Sequence, residues 1–138
     1  MRPFAPDDEQ RVVALWARCG ITRSWNDPRK DILRKLEVNP ELFLVGVIGD
    51  EIVATVMAGY EGHRGWINYL SVDPELQRRG LGRQMMNEAE RLLGGRGCPK
   101  INLQIRNSNA GAVEFYSALG YSMDDVVSMG KRLLRDDQ

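Results

Sequence analysis

Between Gly65 and Leu93 the chain reads GWINYLSVDPELQRRGLGRQMMNEAERLL, and no other stretch limits the possible folds as tightly. An apolar run from Trp66 to Val72 ends at Asp73-Pro74, and proline holds the residue before it extended, so a strand closes into a loop. Gln77-Arg78-Arg79-Gly80-Leu81-Gly82 comes next. Beyond it, Leu81, Met85, Met86, Ala89, Leu92 and Leu93 recur at helical spacing. The spacing predicts strand, basic glycine-bearing loop and helix, in that order. The first N–H groups of a helix have no partners inside it, and the helix dipole is positive at that end, so this order of elements builds an anion site. Gly80 and Gly82 are expected to let backbone approach the anion, while Arg78, Arg79 and Arg83 add charge and forked donors. A phosphate is the expected ligand.

Two nucleotide-binding patterns are excluded. A Walker loop ends in Gly-Lys-Ser/Thr, whereas Gly82 is followed by Arg83-Gln84. A dinucleotide fingerprint needs Gly or Ala where Met85 stands. Composition narrows the partners further. Basic and acidic side chains number 19 each, so there is no overall positive field for nucleic acid or an anionic membrane, and any anion site must be local. Cys19 and Cys98 lie in no Cys-x-x-Cys spacing and point to a reducing compartment, and a lone His63 argues against a histidine metal site. No apolar run approaches a membrane span, so the expectations are a cytoplasmic location, no bound metal, and one domain over residues 1–138.

Along the chain, residues 1–5 read as a strand stub, and Asp7-Asp8-Glu9-Gln10 has the form of a helix cap with Gln at the third position. Val12, Val13, Leu15, Trp16 and Cys19 mark one face of the helix that follows, which Gly20 ends. Asp27 and Pro28 open a second helix carrying Ile32, Leu33 and Leu36; Trp25, just before it, is expected to pack as a hydrophobic staple. Leu42 to Ile48 and Ile52 to Gly59 read as an antiparallel hairpin about Gly49-Asp50-Glu51. After the central helix, Lys100 to Arg106 reads as a strand, Asn107-Ser108-Asn109 caps a helix over Ala110 to Leu119, and Tyr121 to Met123 and Val126 to Leu134 read as two last strands.

Gln-Arg-Arg-Gly-Leu-Gly behind a strand ending Val72-Asp73-Pro74 resembles the acetyl-CoA loop of the GNAT superfamily of N-acetyltransferases, and the order of elements resembles that fold over nearly the whole chain. The resemblance implies an α/β fold: a mixed, mostly antiparallel sheet of six to seven strands with about four helices. It implies acetyl-CoA as acetyl donor and an amine as acceptor. Leu70, Ser71 and Val72 match positions whose backbone meets the acetyl and pantetheine groups, and Arg78, Arg79, Gly80, Leu81, Gly82 and Arg83 match the pyrophosphate loop. Asn107 through Tyr121 resembles the family's second signature, in which Asn109 matches a cofactor contact and Tyr116 the tyrosine that protonates the departing thiolate. Taken alone, without the glycine loop beside it, the same segment reads first as a core stripe of Val113, Tyr116 and Leu119 at helical spacing.

Gln-Arg-Arg-Gly-Leu-Gly-Arg and Arg-x-Ser-Asn-Ala are shared with the RimI-type ribosomal-protein alanine acetyltransferases, whose Glu base is here Gln104. Trp25-Asn26-Asp27-Pro28 and Gly59 through Gly65 look closer to the bacterial YpeA-type subgroup. With that base absent, Glu61 and His63 are the nearest titratable candidates, though a polar turn is where solvated side chains also sit. The leading reading is an N-acetyltransferase acting on an amine whose identity the sequence does not name; the alternatives are a protein N-terminal or lysine acetyltransferase of RimI type and a non-catalytic acyl-CoA-binding module. A homodimer is one assembly the resemblance allows.

Overall fold

A computed structural model describes residues 1–137. Five strands form one sheet in sequence order: β1 (Arg2–Pro3), β2 (Phe43–Ile48), β3 (Glu51–Tyr60), β4 (Gly65–Val72) and β5 (Ile101–Asn102). The first four run antiparallel to their neighbours, whereas β5 lies parallel to β4, as a strand must when a helix carries the chain back. That helix is α3 (Leu81–Gly95). It covers one face with α4 (Ala110–Ala118), and α1 (Glu9–Cys19) and α2 (Pro28–Leu36) cover the other.

Two apolar layers result. Met85, Met86, Ala89 and Leu93 of α3 pack on Leu44, Ala54, Val56, Ala58 and Ile67; Val12, Leu15, Trp16 and Ile32 pack on Phe43, Val45 and Met57 from the opposite side. Burying each of these larger side chains contributes about 1.5–3 kcal/mol. Because both faces are covered, β3 is buried continuously from Ile52 to Ala58, which is why its sequence is an apolar run without polar alternation.

Local signals operate where the sequence places them. Gly20 ends α1 at φ 67°, a conformation glycine adopts without penalty. The Asp27 carboxylate accepts from the Arg29 N–H at 2.9 Å, and Pro28 occupies the first turn of α2. The capping signal at Asp7 to Gln10 is displaced by one residue, since Asp8 stands immediately before α1. The Asp8 carboxylate bonds no backbone N–H of α1; it accepts from the Ala5 N–H at 2.9 Å and pairs with Arg2 at 2.7 Å and with Arg11 of α1 at 2.8 Å. The Arg2 guanidinium holds this buried carboxyl down at about 2.

The sheet has five strands where six to seven are expected. Lys100 to Arg106 contributes only Ile101–Asn102, because beyond Trp66 the chain after β5 leaves β4. Tyr121 to Met123 and Val126 to Leu134 form no strand. Asp124-Asp125 and Gly130, residue types that strands disfavour, interrupt that segment. Side chains hold it: Tyr121 Oη donates to Glu90 at 2.6 Å, Lys100 pairs with Asp124 at 2.8 Å, and Arg34 pairs with Asp136 at 2.6 Å. Met123, Val127, Met129 and Leu133 are left exposed.

Candidate active site

β4 has β5 beside it only at Gly65 and Trp66, so from Ile67 onward that edge of the sheet has no strand partner among the described residues. On the other edge its pairing with β3 slips: Asn68 faces Met57 and Ser71 faces Thr55, leaving Tyr69 and Leu70 together opposite Val56. This is a β-bulge, with Tyr69 at φ 52°, a left-handed conformation seldom taken by an aromatic residue. The extra residue resets the facing of the strand. Ile67 and Leu70 both pack toward α3, while Tyr69 turns toward α1 and α2.

A buried polar chain holds the bulge. Trp16 Nε1 donates to Thr55 Oγ1 at 2.9 Å, and Thr55 Oγ1 donates to the Tyr69 carbonyl at 2.7 Å. Thr55 has one proton and spends it there, so the Ser71 hydroxyl, 2.7 Å away, must be the donor in the third contact. The Tyr69 ring stacks on Trp16 at 3.9 Å, and its hydroxyl donates to Asp31 Oδ2 at 2.6 Å. Burial, then the Asp31 bond, pushes the Tyr69 phenol well above its ordinary range, so it remains a donor.

Of the expected backbone positions, Leu70 lines a cleft of about 980 Å³ where the sheet opens, Ser71 is buried in the polar chain, and Val72 packs toward α3. The basic loop lies past the end of β4, after a single turn at Pro74–Leu76. Gly80 caps α3 at φ 82° with no side chain to bond the first N–H groups; Gln84 is the first residue to bond back, to the Gly80 carbonyl at 3.0 Å. Arg78, Arg79 and Arg83 are exposed, and none is paired with a carboxylate among the described residues. Gly82 has a packing reason besides the one expected. A Cβ there would meet the Phe115 ring at 3.0 Å, so this glycine seats α4 against the start of α3.

α4 brings the second group of residues. The Asn109 Oδ1 caps the helix by accepting from the Ala112 N–H at 3.0 Å, and the residue lines the cleft. Tyr116 lines the same cleft and packs edge-on against Phe115 at 5.0 Å and Tyr121 at 5.6 Å. The core-stripe reading and the site reading therefore describe one side chain. Burial pushes the Tyr116 phenol up to about 12, so it is protonated at neutral pH.

The far wall of the cleft is what sequence reading misses. Trp25 is no staple: it lines the cleft with guanidiniums over its ring from Arg106 at 5.8 Å and Arg132 at 5.9 Å. Asp31, Tyr69 and Thr55 come from separate elements, and no spacing in the chain links them. Gln104 borders the cleft, with its amide on Ser128 Oγ at 2.5 Å. Glu61 and His63 lie elsewhere: the Glu61 carboxylate caps its own exposed turn by accepting from the His63 N–H at 3.0 Å, and neither side chain lines the cleft.

An open strand edge beside a bulge, an uncapped helix start with three free cations, and a protonated phenol lining the cleft suit transfer of an acyl group from a phosphate-bearing donor. Comparison with known proteins bears on the same point. Residues 8–121 match the family model described as Acetyltransferase (GNAT) family. An acetyltransferase of Sodalis glossinidius is 45% identical over 139 residues, covering 100% of this chain and 98% of the relative. One of Pectobacterium atrosepticum is 45% identical over 136 residues, covering 99% and 96%. Among solved structures, Ard1 from Thermoplasma volcanium superposes with a TM-score of 0.76 at 20% identity over 89% of this chain and 82% of that one. The ribosomal-protein-S18-alanine N-acetyltransferase of Escherichia coli does so with 0.70 at 22% identity over 86% and 74%. These structural likenesses establish the fold, and no helix among the described residues is long and apolar enough to cross a membrane. The family match over most of the chain and the full-length relatives settle the class: this chain belongs to the acetyltransferase (GNAT) family and is an enzyme of that family.

Proposed function

We propose that the chain transfers the acetyl group of acetyl-CoA directly to an amine, with the whole chain acting as one domain. The observation that carries this reading is the bulge at Tyr69–Leu70, which lines the same cleft as Tyr116. The N–H groups at the start of α3, with Arg78, Arg79 and Arg83, hold the pyrophosphate; the open edge of β4 takes the pantetheine as an added strand; Asn109 offers its amide. Backbone near Leu70 to Val72 steadies the carbonyl oxygen as charge develops on it. The amine nitrogen bonds to the carbonyl carbon, the carbon–sulfur bond breaks, and Tyr116 gives its proton to the departing thiolate. The proton lost by the amine leaves through water, since Gln104 supplies no base. Two free cysteines agree with a cytoplasmic site of action, and a homodimer is the assembly we would look for first.

The test is titration calorimetry with acetyl-CoA on the native protein and on the Arg78→Ala/Arg83→Ala variant, followed by product mass across a panel of amines. Native binding that weakens in the variant, with acetylated amine formed, supports the reading. A variant that binds acetyl-CoA as tightly as the native protein refutes the loop assignment.

A further inference from the structure

The chain is neutral overall, with 19 basic and 19 acidic side chains, yet its cleft is not. Arg23, Arg34, Lys35 and Arg106 line it against one carboxylate among the described residues, that of Asp31. That carboxylate is already engaged by three donors: Tyr69 Oη at 2.6 Å, Arg34 at 3.0 Å and Asn26 Nδ2 at 3.2 Å. It has little capacity left to take an ammonium. Arg34 is neutralised twice, by Asp31 and by Asp136, and Lys35 Nζ is turned to the Ala58 carbonyl. Arg23 reaches only carbonyls, those of Gly20 at 3.1 Å and Thr22 at 3.0 Å, and Arg106 lies over Trp25 with no carboxylate partner among the described residues. The turn from Arg23 to Asn26, closed by the Asn26 N–H on the Arg23 carbonyl at 3.0 Å, sets Arg23 and Trp25 on one wall, and Arg106 lies against it.

We infer that the acceptor is an amine whose own molecule carries a carboxylate, held by Arg23 and Arg106 at the cleft wall while the nitrogen reaches the bulge that lines the same cleft as Tyr116. This inference rests on the acetyltransferase reading. A guanidinium matches a carboxylate through two parallel N–H bonds, a geometry no neutral amide reproduces. Polycationic amines meet like charge in a partly desolvated cleft, which opposes their binding. The same cations oppose charge on the attacking nitrogen and so favour its neutral, nucleophilic form. Two sources share this chemistry, a free amino acid and a peptide with an acidic residue near its N-terminus.

The experiment measures kcat/KM with acetyl-CoA for L-phenylalanine, its amide and phenethylamine, for alanine-led peptide amides with an acidic or a basic second residue, and for spermidine. At least one carboxylate-bearing acceptor should exceed its matched neutral or basic counterpart by roughly tenfold or more. A gain confined to the acidic peptide identifies the peptide source, and a gain for phenylalanine identifies the free amino acid. The preference should collapse toward unity in Arg23→Ala/Arg106→Ala and shift toward spermidine in Arg106→Glu, with acetyl-CoA affinity unchanged in both variants as the check on folding. In parallel, calorimetry compares N-acetylphenylalanine with its amide on the CoA-bound protein, and likewise the acetylated acidic and basic peptides, so binding decides even where turnover is slow. Amides or spermidine equalling every carboxylate acceptor, or a preference that survives loss of both arginines, overturns the inference. Absence of acetyl-CoA binding counts against the acetyltransferase reading itself; acetylation without carboxylate preference counts against this inference alone.

Discussion

The donor and acceptor sides of the candidate site are built in opposite ways. On the side proposed for the donor, the residues are nearly contiguous: Arg78 through Arg83 form one loop running into α3, joined to β4 by a single turn. On the acceptor side, Arg23, Trp25, Asp31, Tyr69 and Arg106 come from two loops, a helix and a strand, tied together by Asp31 and by a tail whose Asp136 accepts from the Asp27 N–H at 2.8 Å. A site made from one loop is local backbone chemistry and survives wherever that loop is kept. A site made from scattered side chains exists only once the fold does, and each member can be exchanged singly. The first arrangement suits a donor common to a family and the second an acceptor that differs among its members.

The comparison can be tested where its consequences are largest. Tyr116→Phe keeps the ring against Phe115 and Tyr121 but removes the proton, so kcat should fall roughly 10²-fold or more with little change in acetyl-CoA affinity. Unchanged turnover at saturation would reduce Tyr116 to a packing residue. Next in size, Arg78→Ala with Arg83→Ala should raise the acetyl-CoA dissociation constant by about tenfold or more while leaving the KM for the amine unchanged. Calorimetry and initial rates separate the two effects, and a raised amine KM would mean that the two sides are not independent. Asp31→Asn should act the other way. It weakens the bonds from Arg34 and Tyr69 that shape the acceptor wall, so the amine KM should rise several-fold, about 1 kcal/mol, at constant acetyl-CoA affinity.

The smallest effect is in the pH profile. With no carboxylate base beside the thioester, kcat/KM should rise through the pKa of the acceptor and shift when the acceptor is changed. Because burial holds Tyr116 near 12, the acid limb of the machinery should stay intact, with no loss from its ionisation below about pH 11. A rising limb fixed near pH 6 to 7 for every acceptor would show a protein base. Gln104→Glu sharpens the question: added activity at low pH means that this position faces the amine, and no change means that Ser128 keeps it turned away.

What could be read from the chain follows the same division. Strand, loop and helix around Gly80 were legible because proline, glycine and apolar spacing act within a few residues of one another. The helix limits at Asp27, Asn109 and Gly20 were legible for that reason too. The bulge was not, since nothing in Tyr69-Leu70 signals a left-handed tyrosine; its cause is Thr55, fourteen residues away in sequence and on the neighbouring strand. The last two strands were misread for the converse reason. Val126-Val127 and Leu133-Leu134 have strand-like composition, but the adjoining Asp124-Asp125 and Gly130 break the run, and ion pairs and side-chain bonds place the segment instead. The packing reason for Gly82 was not legible either: its neighbour is the Phe115 ring, a contact visible only once α4 is in place.

The position of Trp25 has an optical consequence. The chain has three tryptophans; Trp16 is sealed in the core at 0% exposure, and Trp66, 37% exposed near the start of β4, does not line the cleft. Trp25 alone has guanidinium groups over its ring and a face on the cleft. An anion drawn onto Arg106 changes the local field at the indole, so the emission of this one residue should report acceptor binding without any label, and a Trp25→Phe protein supplies the blank against which the signal is read.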